Sequence, residues 1–267
     1  METEKSKNEK VPLLGISDLN PLILVEGDQD LLAVCKFAEL CNLQVSQAQL
    51  LVGATFLKSD HFAPLVKSIN KLRPGVATHV HVLRDPDFYM FDIEQKAKEE
   101  SKANVKVFYW NLPSIESFYF VYWCYLNRDK DPFVILRDPS VLQKLMAKYM
   151  TSVRQQNPKQ QEEAVELACE RWIQATKLLD NQNPTLEDIQ AVARIVHGHT
   201  WLNKFSQGER DGRYHGIPTP AAVKKIDKRI LEPIPELQNF MSALISSPSP
   251  CSSSSHPKKS KGKEKQI

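Results

Sequence analysis

Three acidic motifs stand where apolar runs stop. Leu22-Ile23-Leu24-Val25 ends at Glu26-Gly27, with Asp28 and Asp30 just beyond. His79-Val80-His81-Val82-Leu83 ends at Arg84-Asp85-Pro86-Asp87, and Val105-Lys106-Val107-Phe108-Tyr109-Trp110 leads to Ser114-Ile115-Glu116. Carboxylates gathered in one place repel each other unless a proton or a cation intervenes. A donor set made only of oxygen suits Mg²⁺ or Mn²⁺. The same residues also have a purely structural use. Carboxylates are favoured near helix N-termini without any metal, which suits Asp28, Asp30 and Glu116.

The elements that must position these groups alternate. Residues 22–25 read as a fully buried strand, followed by a helix over 30–41 with Leu31, Val34, Cys35 and Ala38 at helical spacing. A second strand spans 49–52 and a helix 62–72, stopped by Pro74-Gly75. The third strand covers 78–83, a charged helix 93–102, and the fourth strand 105–110. Strands alternating with helices predict a parallel sheet, whose carboxyl ends share one rim where such folds bind ligands.

After Pro113 the pattern turns helical. Helices are expected over 114–126, over 138–149 with Pro139 in the first turn, and over 161–179, 185–197, 220–230 and 235–245. The fold class is therefore α/β: a mostly parallel sheet of about four strands flanked by helices, then a mainly helical C-terminal lobe. The expected units are a disordered leader (1–19), an α/β domain (20–128), a helical lobe (129–245) and a disordered Ser/Lys-rich tail (246–267).

Composition narrows the class. The chain has 267 residues, 42% hydrophobic and 25% charged, which is ordinary for a globular protein. Five scattered cysteines without a CxxC pair read as reduced thiols of an intracellular protein, nuclear or cytoplasmic. No stretch has the length and apolarity of a membrane span. The formal net charge is +3, but the tail holds five lysines against Glu264, so the body is about −1. Strong non-specific DNA binding favours a basic body, so composition gives nucleic acid little support, and any basic groove must be local. The tail reads as a solubilising segment; its Pro257-Lys258-Lys259-Ser260-Lys261 also fits a nuclear localisation patch.

Taken in order, Leu24-Val25-Glu26-Gly27-x-x-Asp30, Asp85-x-Asp87 and Ser114-Ile115-Glu116 resemble a Toprim domain, the topoisomerase–primase fold. The similarity is to the Toprim domains of OLD-type (overcoming lysogenization defect) nucleases, over residues 20–128 and more weakly to about 205. There, Ser/Asn-Ile-Glu opens a helix after the fourth strand. A later Gly-Lys/His element corresponds to Val196-His197-Gly198-His199-Thr200-Trp201-Leu202. Two departures stand out: Pro86 lies within the Asp-x-Asp pair, and His199 stands where several relatives carry lysine.

The resemblance implies divalent-metal-dependent hydrolysis of nucleic-acid phosphodiesters, with nicking or cleavage of DNA. Asp85 and Asp87, at i and i+2 of an extended chain, point to one side and would hold one Mg²⁺. Glu26 would complete that site or serve as general acid/base. Asp30 and Glu116 would hold a second ion, two ions about 4 Å apart being able to stabilise both the attacking and the leaving oxygen. His199 or Lys204 would offset developing charge. OLD-type proteins usually carry an ATPase domain, and this chain has no GxxxxGK loop. It would therefore act alone or with an ATPase in trans. A silent Toprim-derived binding or regulatory module, or an enzyme for small phosphorylated substrates, fits the same motifs.

Other residues carry weaker signals. Lys204, Arg210 and Arg213 flank Gly208 and Gly212 in a segment able to contact phosphates, although Glu209 and Asp211 partly cancel Arg210. His79 and His81 read as structural histidines without cysteine partners. Phe118, Val121, Tyr122 and Tyr125 fall at helical spacing and read as one packing face, not a base-stacking platform.

Overall fold

Four apolar runs too short for a stable helix become the strands β1 (Leu22–Val25), β2 (Leu50–Val52), β3 (Val80–Arg84) and β4 (Val105–Tyr109). The computed structural model describes residues 21–46, 49–53, 64, 67, 71, 79–102, 104–196, 201 and 226–246. All pairings among these strands are parallel, in the order β2-β1-β3-β4. Leu24 lies across from Val82, and Val82 from Val107. The helices are α1 (Asp28–Leu40), α2 (Ile93–Glu100), α3 (Ile115–Leu126), α4 (Pro139–Gln156), α5 (Gln161–Leu178), α6 (Leu186–Ala193) and α7 (Leu237–Ile245). The protein is thus α/β, with a helical C-terminal part. The helix expected over 62–72 falls almost wholly outside the described residues.

Alternation along each strand separates two faces. Leu22, Leu24, Val80, Val82, Val105, Val107 and Tyr109 face α2, where Ile93 and Ala97 cover them. The opposite face, with Ile23, Val25, Leu83 and Phe108, belongs to a larger core that continues through α1, α3 and the C-terminal helices as far as Leu244. There Phe240 of α7 meets Phe108 and Trp110 at 6.2 and 5.1 Å between ring centres. His81, also on this face, is buried, and its Nδ1 donates to the carbonyl of Leu244 at 2.6 Å.

Several expected bounds move. α4 runs seven residues past 149, because Met150 and Val153 extend its buried stripe by another turn. α6 stops at Ala193, four residues short of 197, while Ile195 and Val196 stay buried beyond it. In the described part of 220–230 the backbone is a 3₁₀ turn (Lys228–Leu231), where Asp227 accepts from the N–H of Arg229; Pro233 blocks any longer helix. α3 does not show one packing face. Phe118 through Cys124 are all buried, because helices lie against it on the sides away from the sheet. No helix among the described residues is long and apolar enough to cross a membrane.

Candidate functional site

The order β2-β1-β3-β4 places the second strand on one side of the first and the third on the other. The sequence order therefore reverses between β1 and β3, and their carboxyl ends open the crevice in which open α/β sheets bind ligands. Glu26 follows β1 and Asp85 follows β3 at this point. The backbone N–H of Asp85 donates to the Glu26 carboxylate. Two motifs about sixty residues apart in the sequence thus become neighbours.

Five carboxylates share this rim. Asp85 feels Asp30, Glu26, Asp87 and Glu116 in that order, and burial together with their charge pushes its carboxyl well above the usual range. Glu26 rises from its ordinary 4.5 to about 7, mainly through burial and then through Asp30 and Asp87; Arg84 works in the opposite direction. Asp87 lies outermost. The residue is exposed, yet crowding around its carboxylate and the charge of Glu116 move its pKa upward against the pull of Lys96. Such a set holds a proton or a cation near neutral pH. Oδ1 of Asp85 is sealed from solvent and has no hydrogen-bond partner, which is costly for a buried carboxylate oxygen.

Asp30 is held differently. It is buried at the third position of α1; Oδ2 accepts from the N–H of Gly27 and Oδ1 from Nε1 of Trp110, both at 3.1 Å. This is one half of a capping box. Both oxygens are committed to the helix start and to β4, although burial and Glu116 still raise the carboxyl. Glu116 occupies the first turn of α3, after Ser114, whose hydroxyl makes no capping bond.

The chain does not run straight through Asp85-Pro86-Asp87, as the i, i+2 expectation requires. β3 ends at Arg84, and Asp87 takes a positive φ of 47° in a turn closed by the N–H of Tyr89 on the carbonyl of Pro86 at 3.0 Å. Pro86 supplies no ladder donor, and aspartate is one of the few residues that tolerates the left-handed region. The turn aims Asp87 at Gln156, whose Nε2 donates to Oδ2 at 2.6 Å. Consequently Asp85 and Asp87 are not side by side on one strand face. Among the described residues no three His, Cys, Asp or Glu side chains stand close enough to hold an ion as they are. The all-carboxylate donors and the orphaned Asp85 oxygen fit a hard divalent cation in chemistry, with Oδ2 of Asp87 already engaged by Gln156.

Two positioning groups come from elements that the motifs do not reveal. Asn157, buried at the end of α4, accepts from the N–H of Met90 and donates to the carbonyl of Phe88, both at 3.1 Å, and so clamps the Asp87 loop. Lys96 of α2 reaches over the rings of Tyr89 and Tyr109 at 4.2 and 5.1 Å. Its charge acts on both Asp87 and Glu26, while its own pKa is lowered, first by burial. The sign of Lys96 is its position: with Ile93, Ala97 and Glu100 it lies on the one stripe of α2 turned to the sheet. His199, Lys204, Arg210 and Arg213 lie outside the described residues. Comparison with protein-family models, curated proteins and solved structures gave no match.

Proposed function

We propose that the acidic rim is the centre of a divalent-metal-dependent phosphodiesterase of the Toprim nuclease type, acting on nucleic acid and cutting or nicking DNA. The observation that carries this reading is the sealed Asp85 oxygen, unpartnered in the field of four further carboxylates at the sheet's reversal point. Asp85 and Asp87 would hold Mg²⁺ or Mn²⁺, with Glu26 beside them and Asp30 and Glu116 toward a second position. When bound, such ions polarise the phosphoryl group and lower the pKa of water. Glu26, titrating at about 7, is matched to proton transfer at neutral pH. It takes the proton of the attacking water as the new P–O bond forms, and returns it to the leaving oxygen as the old bond breaks. Lys96, whose charge acts on Glu26 and Asp87, would offset the charge that develops.

A second reading has its own support. Asp30 is tied at both oxygens and Asp87 is turned onto Gln156, an arrangement suited to a Toprim-derived binding module that has lost turnover and works with a partner ATPase. Incubation of the protein with supercoiled plasmid and Mn²⁺ or Mg²⁺, beside Asp85→Ala, separates the two. Nicking by the natural protein alone supports the enzyme. Equal nicking by both proteins, or none by either, removes the catalytic reading.

A further inference from the structure

Next to the acidic rim lies a cleft of about 160 Å³, bordered by the Asp87 turn on one side and by the helical part on the other. It is lined by Tyr89, Trp110 and Asn111, and by Arg171 of α5 and Arg194, just after α6. Neither guanidinium forms an ion pair with a described carboxylate. Arg171 is half-buried and restrained, with Nη1 3.7 Å from Sδ of Met90 and a hydrogen bond to Tyr149. Arg194 is exposed at the mouth. Two cations thus face one carboxylate, Asp87, across a small cleft that also has aromatic and amide surface. Guanidinium groups bind phosphate oxygens by paired N–H donors.

We infer that this cleft is a phosphate subsite, in which Arg171 and Arg194 grip a backbone phosphate of the nucleic acid adjacent to the one at the rim. The inference rests on the nuclease reading for its ligand, and it deepens that reading by giving the substrate a direction. From the β1–β3 crevice the strand passes over the Asp87 turn toward α5 and α6. The local basic groove that a nearly neutral body demands is then built from two helical-lobe residues on neighbouring elements.

The test uses no turnover. Fluorescence anisotropy of a labelled 20-base-pair duplex, titrated with the full chain in EDTA over a range of salt concentrations, reads phosphate contacts directly. Arg194→Ala, an exposed change with little risk to folding, should weaken binding for every sequence and reduce the salt slope by about 1. Arg194→Lys should keep most of that slope, and Arg171→Ala should lower it further, provided its thermal melt matches the natural protein. Lys106→Ala, at the opposite end of the sheet, should leave the slope alone. An unchanged slope in Arg194→Ala, an equal loss in Lys106→Ala, or no duplex binding at low salt overturns the subsite. Because the measurement excludes divalent ions, a protein that binds through these arginines but never nicks would sink the catalytic reading and leave the subsite standing.

Discussion

The two ends of the same four strands are built on opposite terms. At the amino end, His81 is buried but satisfied: its Nδ1 donates to Leu244, its ring lies 5.0 Å from that of Phe108, and burial keeps it neutral. Around it, Lys102, Asn104 and Lys106 border a cavity with no acidic wall. At the carboxyl end, five carboxylates act on one another through their charge, Oδ1 of Asp85 has no hydrogen-bond partner, and Asp87 sits in the left-handed region. Parallel topology opens the crevice at the carboxyl ends, but it does not dictate that acidic side chains stand there; that contrast comes from the residues themselves. Places where a fold leaves local rules unmet are where function is to be sought. The amino end satisfies its buried polar group; the carboxyl end leaves an electrostatic cost uncompensated, which the proposed metal would offset.

This contrast can be broken first at Glu26. Glu26→Gln should lower metal-dependent nicking by about 10²- to 10⁴-fold, the range for loss of a general acid–base group. A smaller fall in a steady-state plasmid assay would reduce Glu26 to a bystander. A second measure follows from its pKa. The native state holds the Glu26 proton up to about 7, against an ordinary 4.5. Its contribution to stability is complete below 4.5 and is lost as pH rises through 7. In EDTA the melting temperature should therefore fall between pH 5 and 8, and Glu26→Gln should remove much of that fall. At 1.36 kcal/mol for each pH unit the effect is about 2–3 kcal/mol, lessened by partial solvent screening. A flat profile by circular dichroism would place the rim's charge balance elsewhere.

At the other end His81→Leu should cost about 1–2 kcal/mol, since the Leu244 carbonyl loses its donor, and should leave nicking by the surviving folded protein unchanged. Chemical denaturation measures the first part and the plasmid assay the second. If activity fell by orders of magnitude while stability held, the division between the ends would be wrong.

Much of this arrangement was legible before any coordinates. Strand positions agree within two residues, because each apolar run is bounded by Gly, Asp or a turn and is too short for a helix. The juxtaposition of Glu26 with Asp85 follows from parallel strands ending on one rim. What was hidden lies in contacts between distant segments. Asn157 and Gln156 meet the Asp87 loop across 67 to 69 residues, and nothing in the periodicity of α4 marks its last turn as a clamp. Asp85-x-Asp87 misleads for a local reason: the spacing predicts an extended pair, whereas Pro86 and a left-handed Asp87 bend the chain. Asp30 matched its motif, but its two hydrogen bonds reveal a helix-start role that a one-letter pattern cannot distinguish from ligation.

The bond between His81 and Leu244 spans 163 residues, and Phe240 roofs Phe108 and Trp110 from the same late helix. On a ribosome adding about 5–20 residues each second, that roof arrives roughly ten to thirty seconds after β3 has left the tunnel. Throughout that interval Phe108 and Trp110 lack the cover that Phe240 supplies in the finished fold. Closure of this face is thus a late event, complete only once α7 has been made.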